Sequence, residues 1–192
     1  MILSDGLVKE KMKYKLIQIE PEPTEESWQG MTLDGHLSKE FYKIKWKAAG
    51  GVRIAIDLED YDTKEFANKY WEPIELTSEG YFPIHPGEFR LAYTKEKLRL
   101  TQESRVCAFV EGKSSLARIG LAIHLAPIIH CGFKEEDKPD PIMLELYNHS
   151  KNVIYLRPDT KICQFCFASV DGDFLSKGAK GLGAGQLPRP TT

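Results

Sequence analysis

Short apolar segments of strand length, separated by turn-forming residues, recur along most of this chain. In order, they include EFYKIKW, VRIAIDL, EPIELTS, YFPIHPGEFRLAYT, LRLTQESRVCAFVEG, LAIHLAPIIH, PIMLELYNHS, NVIYLRP and TKICQFCFASV. Such runs, bounded by Gly, Pro, Asn and Asp with little helical pattern between them, are typical of β-sandwiches and barrels. The 192 residues suffice for one domain with a sizeable core. The sequence therefore predicts a single all-β domain over residues 1–192.

Three segments differ from this strand-rich pattern. LSDGLVKEKMKYKLIQIEP predicts a short helix capped by Ser4, followed by a strand that ends before Pro21. KEEDKPDP, residues 134–141, is charged and contains proline, so we expect an exposed loop. Residues 175–192 are rich in Gly, Ala, Lys and Pro, and we expect them to be mobile when nothing is bound. This tail is either a frayed terminus or a lid over an anion, for which it offers Lys177, Lys180, Gln186 and Arg189.

Charge and hydropathy exclude several classes of protein. The chain carries 26 Lys and Arg against 28 Asp and Glu, a formal charge of −2, whereas a protein that binds duplex nucleic acid is usually basic. No apolar run approaches the ~20 residues that span a bilayer, and the N-terminus lacks the pattern of a signal peptide. With four cysteines and no secretory signal, we expect a reducing, cytoplasmic setting. We expect neither a membrane nor a nucleic acid as partner.

Cys163 and Cys166 form a C-x-x-C pattern that is found in zinc and redox sites. They lie in KICQFCFASV, which has the composition of a strand that is buried on both faces. Because successive strand residues point to opposite faces, the two thiols would diverge. A zinc deaminase would also carry an H-x-E segment, and none occurs in this chain. We therefore interpret both residues as core cysteines and predict no metal site, with a zinc site as the alternative.

Residues 113–118, the KSSLAR segment, place polar side chains between the apolar runs VCAFV and LAIHLA. One interpretation is a short helical turn capped by Ser114 or Ser115, with Arg118 in solvent. The other is a binding site, since a Gly-Lys-Ser-Ser turn presents backbone N–H groups, hydroxyls and a cation, which suits phosphate oxygens. The segment is not a Walker A loop, because Cys107 occupies the position of the first glycine.

Glu145 interrupts the apolar run IMLELYN. In a strand, Leu144 and Leu146 would point to one face and Glu145 to the other. A buried carboxylate is costly unless it is paired, and Arg118 is the candidate partner. The alternative is a glutamate on an edge strand that faces water.

Four of these segments occur in the order found in a known family. HPGEFRLAYTKEKLRL, FVEGKSSLARIGLAIH, IMLELYN and YLRPDTKICQFCF together resemble the dCTP deaminase branch of the dUTPase superfamily. The opening MILSDGLVKE and the segment QGMTLDGHL are similar to the start and the early aspartate segment of that branch. KSSLARIGL is similar to the deaminase form, whereas the dUTPase branch has R-S-G-L-A. The resemblance implies a distorted jelly-roll subunit of the dUTPase-like type, assembled as a homotrimer with active sites between subunits.

The resemblance also implies roles for residues in two of these segments. Glu145 matches the catalytic glutamate, and Ser114 and Arg118 match the serine and arginine that support it. Ser115 matches a serine that contacts phosphate. Lys113 stands where the family has the arginine of G-R-S-S, so the charge is kept but the bidentate fork of arginine is lost.

Four further residues are predicted to contact the nucleotide. Gln186 resembles the glutamine of the family's C-terminal lid, and Lys180 lies in the same tail. Pro127 follows Ala126 where a backbone carbonyl helps to hold the water, and a proline retains that carbonyl. His130 stands where the family has an aspartate near the sugar.

The chemistry implied by the resemblance is hydrolytic deamination of a cytosine deoxynucleotide, that is, dCTP and water to dUTP and ammonia. Glu145 would act as general acid and base without a metal, and Mg²⁺ would accompany the triphosphate. One alternative is a dUTPase or a bifunctional dCTP deaminase–dUTP diphosphatase, against which the change at His130 weighs. Another is a nucleotide-binding regulator without catalysis, but a pure binder has no need of Glu145.

Overall fold

The computed structural model describes residues 1–45, 51, 54–123, 126–172 and 174. The helices of this part of the chain are α1 (Asp5–Lys13), α2 (Thr63–Tyr70) and α3 (Ser114–Ala117). Its strands are β1 (Ile17–Glu20), β2 (Thr32–Ile44), β3 (Trp71–Pro73), β4 (Phe82–Ile84), β5 (Phe89–Leu100), β6 (Val106–Gly112), β7 (Leu121–Ala122), β8 (Ile128–Ile129), β9 (Asp140–Asn148), β10 (Ile154–Leu156) and β11 (Lys161–Ser169). The predicted all-β class is confirmed.

Most of the strands in the described residues belong to one antiparallel sheet. Its main path runs β7-β9-β5-β2-β11-β6-β8, while β1 pairs with β5, β3 pairs with β2, and β4 and β10 pair with each other. A flat path of seven strands would be about 29 Å wide, at ~4.8 Å between neighbours. The chain from Ala122 in β7 to Ile128 in β8 can reach only about 22 Å. The sheet must therefore curl until its two edge strands approach each other, which makes it a half-barrel.

The N-terminal helix and the first strand have the predicted bounds. Ser4 is extended and its hydroxyl accepts a hydrogen bond from the Leu7 N–H group at 3.5 Å, so it caps α1 as expected. Val8 is the buried residue of this helix. β1 ends at Glu20, and its four residues pair with the end of β5. The capped helix and the strand that ends before Pro21 are both confirmed.

Both faces of the sheet carry buried apolar side chains. One face builds the main core, whose largest fully buried members include Phe41, Phe82, Phe165, Phe167 and Leu33. The other face carries a second, smaller cluster of Tyr42, Ala67, Leu91 and Tyr93, against which Trp71, Phe89 and Met143 pack. Ala67 belongs to α2, so this helix covers part of the second face.

The region before β4 differs from the prediction. VRIAIDL has a strand pattern, but its described residues, 54–58, lie outside any strand, and Leu58 is largely exposed. β3 already pairs with β2 beside Tyr42, and β5 occupies its other side, so this part of β2 offers no free edge. Of EPIELTS, only the first two residues are in a strand, β3.

The charged insertion at residues 134–141 is only partly exposed. Residues 136–138 are exposed as predicted, but Lys134 and Glu135 are half-buried. The Arg99 guanidinium donates hydrogen bonds to both of their carbonyls, and the Lys134 ammonium lies 2.9 Å from the Asp140 carboxylate. Because these contacts satisfy the backbone of a tight turn, the insertion packs against β5 instead of extending into solvent.

Within the described residues, no helix is long and apolar enough to cross a membrane.

Candidate functional site

The KSSLAR segment forms a single helical turn between β6 and β7. Lys113 is the capping residue and its side chain makes no capping hydrogen bond, so neither serine caps the turn as one interpretation proposed. Ser114, Ser115 and Arg118 are exposed. The Arg118 N–H group donates to the Ser114 carbonyl at 3.1 Å and closes the turn. The segment therefore presents two hydroxyls and a guanidinium to solvent from a fixed backbone.

The C-terminal end of this turn is fastened to the end of β9. Gly120 has φ +87°, a conformation that favours glycine, and its carbonyl accepts a hydrogen bond from the His149 N–H group at 2.8 Å. A Cβ atom at Gly120 would lie 2.9 Å from the Ser150 nitrogen. Because the backbones approach so closely, the KSSLAR segment is held next to the strand that carries Glu145.

At the N-terminal end of the KSSLAR segment, Lys113 contacts a buried aspartate. The sequence analysis did not predict this aspartate as a site residue. Asp34 lies in β2 and is 2% exposed, and its carboxylate is 2.5 Å from the Lys113 ammonium and 2.8 Å from the Lys161 ammonium. Burial raises the pKa of the Asp34 carboxyl, but the hydrogen bonds and charges of the two lysines more than offset this effect and lower the pKa. Asp34 is therefore an ionised anchor for both lysines.

Glu145 lies on the face of the sheet that carries the second apolar cluster. Leu144 and Leu146 are buried on the other face, as the alternation predicted. The register places Glu145 opposite Leu91 and Leu91 opposite Tyr42, so the carboxylate belongs to a cross-strand row with hydrophobic and aromatic side chains. The Glu145 side chain is half-buried in this chain. Glu145 is therefore a half-buried carboxylate on a largely apolar face of the sheet.

The predicted pairing of Arg118 with Glu145 is not made within one chain. The Arg118 side chain is exposed, and no hydrogen bond or ion pair joins it to another described residue. Their association stays a prediction for an assembled protein.

Pro127 and His130 flank β8, at the opposite end of the strand order from β9. The Pro127 carbonyl accepts a hydrogen bond from the Val110 N–H group at 2.8 Å, so one of its two lone pairs is used by the sheet. His130 is exposed, with its Nδ1 2.8 Å from the Cys131 carbonyl. The curl of the sheet brings β8 towards β7, and therefore brings these residues towards the KSSLAR side of the molecule.

The C-terminal lid, including Lys180 and Gln186, lies outside the described residues. Cys163 and Cys166 are described: Cys163 is fully buried, Cys166 is half-buried, and they point to opposite faces of β11, as predicted. Burial raises the pKa of the Cys163 thiol, which disfavours the thiolate that a metal would require. Within the described residues, no group of three or more His, Cys, Asp and Glu side chains could hold a metal ion.

Two clefts of the described residues lie away from the KSSLAR segment. One cleft of about 460 Å³ lies between α1 and β1, and another of about 260 Å³ lies beside α2. Neither is lined by a predicted site residue. In the described part of one chain, the candidate site comprises the exposed surface of the KSSLAR segment and the half-buried Glu145 on the neighbouring strand.

The sequence of this chain matches a known protein family. A family model described as dCTP deaminase-like matches residues 2–170. A protein of Hydrogenobaculum sp. (strain Y04AAS1) named "dCTP deaminase, dUMP-forming" is 38% identical over 174 residues, covering 89% of this chain and 84% of its own. A "dCTP deaminase" of Pseudoalteromonas translucida (strain TAC 125) is 35% identical over 173 residues, covering 90% of this chain and 85% of its own.

A solved structure supports the fold. The crystal structure of 2'-deoxycytidine 5'-triphosphate deaminase from Agrobacterium tumefaciens superposes with a TM-score of 0.62 at 18% identity, over 86% of this chain. The match covers 47% of the length of that chain. At this identity the likeness concerns the fold, and it agrees with the predicted dUTPase-like architecture.

Proposed function

Because this chain belongs to the dCTP deaminase-like family, we propose that it removes the 4-amino group of a cytosine deoxynucleotide, converting dCTP and water to dUTP and ammonia. The observation that carries this proposal is the family match over residues 2–170. The position of Glu145 supports it, since this carboxylate belongs to a largely apolar row on the strand beside the KSSLAR segment. A protein that only binds nucleotide has no use for a carboxylate there.

In the proposed reaction, Glu145 carries the proton transfers. It takes one proton from water as the water oxygen bonds to C4 of cytosine, and it gives that proton to N3. The C4–N4 bond then breaks, ammonia leaves with the second proton of the water, and C4 becomes the carbonyl of uracil. Ser114 would orient the water or the amino group, and Arg118 would stabilise the ionised carboxylate.

The remaining predicted residues would bind the nucleotide. Lys113 and Ser115 would contact the triphosphate, while Pro127 and His130 would border the water and the sugar. Lys180 and Gln186 would close over the phosphates as part of the lid formed by residues 175–192. Mg²⁺ would enter with the triphosphate as part of the substrate.

We also propose that the active unit is a homotrimer with sites between subunits. Two features of the single chain support an assembly. Ser114, Ser115 and Arg118 are exposed in the single chain, although the reaction requires a dry pocket. Large apolar side chains also face solvent beside the site, with Ile119 52% exposed and Ile128 63% exposed. The nucleotide substrate and four free cysteines support a cytoplasmic location.

A second candidate function is a bifunctional enzyme that also hydrolyses the triphosphate. Its support is the name of the relative at 38% identity, which is described as dUMP-forming. Another relative with that name, from Coprothermobacter proteolyticus, is 34% identical over 97% of this chain. The two functions share the deamination step and differ in whether pyrophosphate is released.

The test is to incubate the purified protein with dCTP, CTP, dCMP or dUTP in the presence of Mg²⁺, and to measure ammonia and pyrophosphate separately. We expect ammonia from dCTP. Pyrophosphate together with ammonia would assign the bifunctional reaction, and pyrophosphate from dUTP without ammonia would assign a dUTPase. Nucleotide binding without either product would overturn the proposal in favour of a regulator.

A further inference from the structure

Asp34 brings two lysine ammonium groups to a single buried carboxylate. Lys113 contacts one oxygen at 2.5 Å and Lys161 contacts the other at 2.8 Å. One of these lysines belongs to the KSSLAR segment, while Lys161 begins β11 and was not selected from the sequence. The pair is therefore created by the tertiary structure.

The charges of this cluster do not cancel. A buried carboxylate needs one cation to stay ionised, and Lys113 is sufficient for that. Lys161 adds a second positive charge, and its side chain remains 51% exposed. The hydrogen bond to Asp34 and its charge raise the pKa of Lys161, and the exposed Glu26 carboxylate adds a smaller effect in the same direction, so Lys161 stays protonated. Two ammonium groups and one carboxylate leave one net positive charge on Asp34, Lys113 and Lys161, and Lys161 is the exposed member of the three.

Lys161 lies close to the KSSLAR segment, because it shares the Asp34 carboxylate with Lys113. The ladder between β6 and β11 ends at the pair formed by Gly112 and Cys163. Lys113 directly follows Gly112, and Lys161 lies two residues before Cys163, across a register shift in the pairing of β11 with β2. Because both lysines contact Asp34, the charge of Lys161 lies near the start of the segment that carries Ser114 and Ser115.

Asp34 also restrains both lysines. A free lysine loses rotamer entropy when a ligand immobilises it. Here the carboxylate restricts both ammonium groups before any ligand arrives, and Lys161 still has donors to spare, because an ammonium carries three N–H bonds. Ammonium groups that are held in place before the ligand binds are expected of a preorganised anion-binding site.

We propose that Lys161 is a second phosphate-binding residue of the nucleotide site, held beside Lys113 by the buried carboxylate of Asp34. The inference rests on the proposed function, which supplies the triphosphate as ligand. Lys161 binds the phosphates and takes no part in proton transfer, so its loss weakens binding far more than it slows the reaction at saturation.

The test compares Lys161→Gln and Lys161→Arg with Lys64→Gln, which removes an equal charge from the exposed surface of α2. The readouts are KM and kcat for dCTP, the Kd of inorganic tripolyphosphate, and inhibition by deoxycytidine, which has no phosphate. In Lys161→Gln we expect KM and the tripolyphosphate Kd to rise about tenfold, with a weaker dependence of Kd on salt. The kcat and deoxycytidine inhibition should stay within about twofold of wild type, since one exposed cation acts on the phosphates alone. Lys161→Arg should restore most of the affinity, and Lys64→Gln should match wild type.

Unchanged tripolyphosphate affinity in Lys161→Gln would overturn the proposal. A loss of deoxycytidine inhibition equal to the loss of tripolyphosphate affinity would also overturn it, because the effect would then be a general disturbance of the site. The two proposals fail separately. If wild type releases no ammonia from dCTP while Lys161→Gln still weakens tripolyphosphate binding, the deaminase function is wrong and the phosphate-binding role of Lys161 stands.

Discussion

Gly35 follows the anchoring aspartate in β2 and packs directly against β11. A Cβ atom at this position would lie 2.6 Å from the Cys163 sulfur and 2.9 Å from Cε2 of Phe165. Both neighbours are buried in the main core, at 0% and 1% exposure, so neither can swing into solvent. Gly35→Ala must therefore push β2 and β11 apart, next to the point where Asp34 holds Lys113.

The cost follows from overpacking a core. Inserting one methyl group into a packed interior costs about 1–3 kcal/mol of unfolding free energy. For a chain of this length, a loss of about 2 kcal/mol lowers Tm by roughly 4–8 °C. Because Asp34 is the neighbouring residue in β2, we also expect a higher KM for the nucleotide.

The assay is thermal unfolding at one fixed protein concentration, because assembly makes Tm depend on concentration. Gly6→Ala is the matched control: its nearest neighbour, the Ser4 hydroxyl, is 3.8 Å from the new methyl group, and its position in α1 favours alanine. This variant should keep or slightly raise Tm.

A double-mutant cycle identifies the contact. Cys163→Ala removes the sulfur, so the cost of Gly35→Ala should be smaller in that background than in wild type. A Tm loss for Gly35→Ala no larger than for Gly6→Ala, or an equal cost with and without the Cys163 sulfur, would refute the reasoning.

Three further outcomes are expected. Glu145→Gln should lower kcat for ammonia release by about 10²–10⁴-fold, since the amide cannot accept the proton of water, while dCTP still binds in equilibrium titration; substantial turnover would show that another group is the base. Because the pKa of Asp34 is lowered in the folded chain, its stabilisation is complete above the ordinary pKa near 3.8 and is lost as pH falls through the lowered value. Tm measured from pH 7 to pH 2 should therefore fall less steeply in Asp34→Asn than in wild type, from a lower starting value, and parallel curves would contradict this. Truncation after Phe174 should raise KM and leave the oligomeric state unchanged by size-exclusion chromatography, whereas unchanged kinetics would make residues 175–192 an ordinary terminus.

Local rules determined a large part of this structure. The cap at Ser4 and the strand before Pro21 follow from side-chain chemistry within a few residues. The alternation in β11 separates Cys163 from Cys166, because a strand turns successive side chains to opposite faces. The helix α2 was missed although its signal was present: the Asp62 carboxylate accepts a hydrogen bond from the Glu65 N–H group at 2.7 Å, and both residue types favour a helix start.

Other features depended on partners that are distant in sequence. VRIAIDL has the alternation of a strand, but its described residues, 54–58, form none, and β3 and β5 already flank β2 beside Tyr42. Pattern alone predicts that a segment can pair, whereas the pairing itself depends on which edges the rest of the chain has left open.

In the candidate site, too, some residues were predicted from the sequence and others were found only in the structure. The sequence by itself indicated Glu145 and the KSSLAR segment, because a carboxylate in an apolar strand and a Gly-Lys-Ser-Ser turn are visible in consecutive residues. It did not indicate that Asp34 holds both Lys113 and Lys161, since these three residues lie on β2, at the end of β6 and on β11. Only the tertiary structure brings these three residues together. It also decides that Asp34 is ionised, because the charge state of a buried carboxylate depends on the charged groups that folding places within a few ångströms of it.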